Sequence, residues 1–169
     1  PAGTKTSNEA IIVVNAPPSI VNIVKDVSVQ EGANFNLWVN ASGANPISYQ
    51  WKKDGVAIPA GISNFYRIFN ATTASAGVYT VVISNSAGIT VSDSIKVTID
   101  VPPGIVTQPK SISLGSGGSA QLSVAASGTD ISYSWSKNGA ILDGQTNSTL
   151  KINNATNSDA GTYSVLVSN

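Results

Sequence analysis

Chemistry needs particular side chains, and this sequence lacks most of them. It holds no histidine, no cysteine and no methionine. The imidazole general base, the thiol nucleophile and the His or Cys ligands of transition-metal sites are therefore absent. Its nine carboxylates stand mostly singly, and no spacing among them reads as an acid–base pair. Gly115-Ser116-Gly117-Gly118-Ser119-Ala120 fits the letters of a dinucleotide loop, G-x-G-x-x-A. That loop cradles phosphate only where it opens a helix; here a strand pattern follows, so the segment reads as a turn. Calcium at a domain joint needs several converging oxygens. Asp100 stands alone near a linker and Asp26 has Lys25 beside it, so both read as solvated loop charges. No catalytic residue, metal site or cofactor is expected, and the protein reads as a non-enzyme.

Bulk composition narrows the partners. Lys plus Arg equals Asp plus Glu at nine each, and only 11% of residues are charged. Such a balance leaves no electrostatic footprint for nucleic acid or an anionic membrane. Apolar runs such as Ala10-Ile11-Ile12-Val13-Val14 are far short of the ~20 residues that span a bilayer, so no direct membrane insertion is expected. At 41% hydrophobic, the chain is too apolar for a disordered linker. The N-x-S/T triplets at Asn40, Asn70, Asn147 and Asn154 read as chance in a sequence this rich in Asn, Ser and Thr.

The elements that position these residues come in two copies. Trp51 and Trp135 lie 84 residues apart, as do Tyr79 and Tyr163, and Asn85 and Asn169. Pro17-Pro18 and Pro102-Pro103 lie 85 apart. Repetition at that length means a tandem array of small domains. Residues 17–101 form one repeat and 102–169 a second that stops before its last strand; residues 1–16 read as the last strand of a preceding domain, or as a donor strand. The plain expectation is a segment of a long array. The sharper one is exchange of residues 1–16 into the open second domain of a neighbour, giving a head-to-tail polymer. Adjacent prolines at each joint predict short, semi-rigid linkers and a rod.

Within each repeat, strand signals recur with turns between them. Phe35, Leu37, Val39 and Ala41 alternate with Asn36, Trp38 and Asn40, and Leu122, Val124 and Ala126 repeat the pattern. Asp54-Gly55 and Asn138-Gly139 are type I′ hairpin signals. Seven or so short strands per repeat favour an all-β sandwich.

Leu122-x-Val124, Trp135-Ser136-Lys137-Asn138-Gly139, Leu150-x-Ile152 and Asp159-Ala160-Gly161-Thr162-Tyr163-x-Val165 together resemble an immunoglobulin domain of the intermediate set, and both repeats carry the pattern. The resemblance implies two tandem immunoglobulin-like β-sandwiches with Trp51 and Trp135 in their cores. It also implies tyrosine corners at Tyr79 and Tyr163. Where the family has its cysteine pair, this chain has Val39 and Val81, then Val124 and Val165. A missing bridge gives up about 2–5 kcal/mol, part of which a packed valine pair restores. Cysteine-free versions resemble tandem repeats of bacterial surface proteins and phage virion proteins. That implies an extracellular, cell-surface or virion-surface location and a spacing, display or adhesion role. Subunits of a strand-exchanged filament and accessory domains of a secreted enzyme are the alternatives.

One asymmetry points to a binding face. Trp38, Phe65, Arg67 and Phe69 alternate with inward residues on two strands that neighbour each other in this fold. Their counterparts in the second repeat are Ser123, Thr149, Lys151 and Asn153. Clustered outward aromatics mark an interface or a sugar-stacking surface. The expected partners are neighbouring immunoglobulin-like domains and a surface protein or glycan.

Overall fold

The computed structural model describes residues 3–12 and 14–169. They divide into two compact units, the second comprising Ile99–Asn169 with the short segments Ser28–Ala33 and Ala71–Thr73. Both repeats are built of short antiparallel strands, and the only helical segments among the described residues are single 3₁₀ turns.

The first repeat contains β1 (Ser19–Ile23), β2 (Val27–Gln30), β3 (Phe35–Ser42), β4 (Ser48–Lys53), β5 (Val56–Ala57), β6 (Phe65–Ile68), β7 (Gly77–Asn85), β8 (Gly88–Val91) and β9 (Ile95–Asp100). One sheet has the order β1-β3-β6; the other runs β2-β9-β7-β4-β5, with β8 also on β7. Alternation explains the layers: Leu37 and Val39 of β3 and Tyr79, Val81 and Ile83 of β7 turn inward, as do Ile95 and Val97 of β9. Trp51 sits opposite Val81 in the β4–β7 register, and both are fully buried. Its indole N–H donates to the Ser63 carbonyl at 2.9 Å, so the large ring is buried without an orphaned donor. Val39, the other residue at a family cysteine position, is also fully buried.

The second repeat contains β10 (Gly104–Thr107), β11 (Ala120–Ser123), β12 (Ala125–Ser127), β13 (Ser132–Lys137), β14 (Ala140–Ile141), β15 (Thr149–Ile152) and β16 (Tyr163–Ser168). Its pairings are β10-β12, β11-β15 and β14-β13-β16. The core is Val124, Trp135 and Leu150, with Leu122, Tyr133, Tyr163 and Val165 packed against it. Trp135 repeats the indole bond, to Asn147 O at 2.8 Å.

The two-residue turns carry the conformations their sequences demand. Asp54 and Gly55 have φ of 50° and 82°, and Asn138 and Gly139 have 51° and 84°. In each, the first side chain also accepts from across the sheet: Val78 N–H to Asp54 Oδ1 and Thr162 N–H to Asn138 Oδ1, both 2.8 Å.

Residues 1–16 bear on a sequence expectation. Pro1, Ala2 and Val13 lie outside the described residues; the others form no strand and are exposed.

Candidate functional site

Strands β3 and β6 pair antiparallel, with Trp38 opposite Phe65, Asn36 opposite Arg67 and Leu37 opposite Tyr66. Because side chains alternate, Leu37 lies inward and the Trp38–Phe65 and Asn36–Arg67 pairs share the outer face. Directly opposite residues hold their Cβ atoms about 5 Å apart, so Trp38 and Phe65 form a cross-strand aromatic pair. Arg67 donates from Nε to Asn36 Oδ1 at 3.0 Å, and its guanidinium lies 5.7 Å from the Phe69 ring centroid. Phe69 follows the last residue of β6 and extends the row beyond the strand. All four side chains expected to share a face are thus brought together on one edge-paired surface. Trp38 is 37% exposed, Phe65 49% and Phe69 65%.

The geometry of this face fits contact rather than catalysis. It offers two aromatic residues at directly opposite positions of paired strands and a guanidinium that donates to the Asn36 amide and lies over a third ring. Among the described residues, no three metal-ligating carboxylates converge anywhere. On the second repeat the register is the same, with Ser123 opposite Thr149 and Gln121 opposite Lys151, and the aromatics are gone.

The tyrosine corners sit where the resemblance implied. Tyr79 Oη donates to Ser75 O at 2.9 Å and Tyr163 Oη to Asp159 O at 2.7 Å. Burial pushes the Tyr79 hydroxyl up to about 12. The matched residues differ in cover: Tyr79 and Val81 are buried, whereas Tyr163 and Val165 are only half-buried.

Sequence reasoning missed a pair of asparagines. Asn85 Nδ2 donates to Ala16 O at 2.8 Å and Ala44 O at 2.9 Å. Asn169 Nδ2 does the same to Val101 O at 2.7 Å and Thr129 O at 3.0 Å. Each amide ties the stretch before a diproline to a loop of its own repeat. Their 84-residue spacing marked the repeat, but nothing in the sequence names the carbonyls they reach.

Family models described as "Immunoglobulin domain" match residues 13–99 and 102–169. Among curated proteins the chain is 28% identical to mouse Hemicentin-2 over 167 residues, covering 90% of this chain and 3% of that protein. It is 29% identical to rat Limbic system-associated membrane protein over 180 residues, covering 98% of this chain and 52% of that one. Mouse Cell adhesion molecule DSCAML1 is also 29% identical, over 178 residues, with 95% and 9% covered. The chain therefore spans from 3% to about half of the length of these relatives. Among solved structures, Sidekick-1 immunoglobulin domains 1–4 superpose with a TM-score of 0.76 at 22% identity, covering 92% of this chain and 46% of that one. These relatives are animal proteins, so the bacterial or phage setting drawn from the missing cysteines finds no support in them.

Proposed function

Since the chain belongs to the immunoglobulin-domain family, we propose that it is an adhesion-type extracellular tandem repeat whose contact surface is the outer face of β3 and β6. The adhesion class is supported by the relatives, one of which is named a cell adhesion molecule. The observation that carries the choice of face is the asymmetry: Trp38 opposite Phe65 in one repeat, Ser123 opposite Thr149 in the other, at the same register. A sandwich does not need aromatics there to fold, because the second repeat does without them. Aromatic rings beside an arginine are the composition of a protein interface centre, so the occupant of this face is a protein partner.

Trp38 also supplies the readout, because Trp51 and Trp135 are fully buried. A partner on this face shields Trp38 alone from a polar quencher. The test is binding of the wild type and of Trp38→Ser with Phe69→Ser to arrays of extracellular proteins and of glycans. The expected result is a protein hit that the double variant weakens about thirtyfold or more, the effect of one hot spot of about 2 kcal/mol. A glycan hit with the same dependence would reassign the partner class. Binding that ignores the substitution would remove the face from the reading.

A further inference from the structure

We propose that Asn138 is a site of spontaneous covalent modification. Its side-chain amide cyclises onto the Gly139 nitrogen and hydrolyses to aspartate, which converts the turn of the second repeat into that of the first. This goes beyond the binding face and does not depend on it.

Asn138 is the single asparagine of the chain that precedes a glycine. Any other residue at that place carries a Cβ beside its own nitrogen, and that carbon hinders attack by the nitrogen. Asn138 and Gly139 are both exposed, and even a Cβ built on Gly139 would meet nothing within 4 Å. The turn is therefore open to water and to base. That exposure belongs to the turn itself: the matching Asp54 side chain is 55% exposed in a repeat whose sheet includes β9. Thr162 N–H donates to Asn138 Oδ1 at 2.8 Å. The bond draws electron density from Cγ and takes up the charge that develops on Oδ1 as the nitrogen adds.

The step consumes water and releases ammonia. Hydroxide takes the Gly139 N–H proton, the nitrogen adds to Asn138 Cγ, and the Cγ–Nδ2 bond breaks. Nδ2 leaves as ammonia with a proton from water, and a cyclic imide remains. Water then adds to one imide carbonyl. Addition at Cγ breaks the new C–N bond and leaves aspartate on an unaltered main chain. Addition at the Asn138 main-chain carbonyl leaves isoaspartate, with the former side chain inserted as an extra methylene in the main chain. The fold selects aspartate, because the first repeat already holds that product. Asp54 Oδ1 accepts Val78 N–H at 2.8 Å, and Asp54 N–H donates to Val78 O at 2.7 Å. Asn138 N–H donates likewise to Thr162 O at 2.8 Å. A Cβ on Gly77 would meet Asp54 Oδ2, Asp54 Oδ1 and Lys53 Cε at 2.8, 2.9 and 2.9 Å. One on Gly161 would meet Asn138 Oδ1, Asn138 Nδ2 and Lys137 Cε at the same three distances. A carboxylate at 138 thus fits where the amide lies, and Lys137 stands in the place from which Lys53 reaches Asp54 at 3.3 Å. Isoaspartate would lengthen a turn whose ends are fixed by the pairing of Lys137 with Ala140.

The experiment is ion-exchange chromatography of the full chain after incubation in mildly acidic and mildly alkaline buffer, with mass spectrometry of the fractions. The expected result is an acidic species that forms faster in alkali and coelutes with Asn138→Asp. It should be missing from Asn138→Gln, whose longer amide closes its ring more slowly. After denaturation, a protease that cuts before aspartate and ignores isoaspartate should cut that species at residue 138. Asn138→Asp should keep the urea midpoint of the wild type at neutral pH, as the turn of the first repeat implies. A chain that stays one charge species in alkali overturns the inference. So does an acidic species that persists in Asn138→Gln, one that resists the protease at residue 138, or a lowered midpoint in Asn138→Asp.

Discussion

At the level of single residues, the same turn is built with two different acceptors. Asp54 and Asn138 occupy matching positions and each takes an N–H from across the sheet. The bond from Val78 and the Lys53 ammonium 3.3 Å away hold the Asp54 carboxyl below its ordinary value. A folded value below the unfolded one means stabilisation that is complete above about pH 4 and fades as pH falls through the folded value. Asp54→Asn should therefore keep the bond, as Asn138 does, and reduce the acid sensitivity of the first repeat. Urea midpoints measured at pH 7 and pH 3 check this; an unchanged difference would contradict it. Tyr79 works at the opposite end of the scale. Its hydroxyl is raised from 10 to about 12, so its contribution is complete below pH 10 and lost as pH climbs towards 12. Tyr79→Phe should remove that alkaline loss and cost about 1 kcal/mol at neutral pH, the worth of the hydroxyl bond.

Among the elements, hairpins were the most legible and the last strand of the first repeat the least. Asp-Gly and Asn-Gly dictate positive φ through local chemistry, and local chemistry is what a sequence displays. Ile89, Val91, Ile95 and Val97 all fall at odd positions, and strict alternation would put them on one face. The structure exposes Ile89 and Val91 and buries Ile95 and Val97. A slip between β8 and β9 changes the parity, and buried Ser92 makes it possible: its hydroxyl accepts from Val81 N–H and donates to Asp93 O. Nothing about a serine in a polar sequence announces that role. Ser92→Ala should cost about 1–3 kcal/mol by thermal or urea unfolding, because a buried N–H is left without a partner. A neutral result would mean water replaces the hydroxyl. Gly43 is equally committed: its φ is +144°, and an added Cβ would lie 3.0 Å from Pro17 O and Pro18 Cα. Gly43→Ala should lower the melting temperature of the first repeat, at a cost on the order of 1–3 kcal/mol.

Across the whole chain, the repeat and its sandwich class were readable because both cores obey the same alternation around Trp51 and Trp135. Half-burial of Tyr163 and Val165 was not readable, since the sequence around them matches that around buried Tyr79 and Val81; cover comes from a neighbouring strand. The aromatic face lay between these cases. Parity placed Trp38, Phe65, Arg67 and Phe69 outward, but only the β3–β6 register sets Trp38 against Phe65. The most direct measurement is equilibrium unfolding of Trp38→Ser with Phe69→Ser beside the wild type. If those rings form a contact surface, stability should stay within about 0.5 kcal/mol, as for surface substitutions generally. A loss of about 2 kcal/mol or more would make them part of the packing of the first repeat, and the binding face would fall with them.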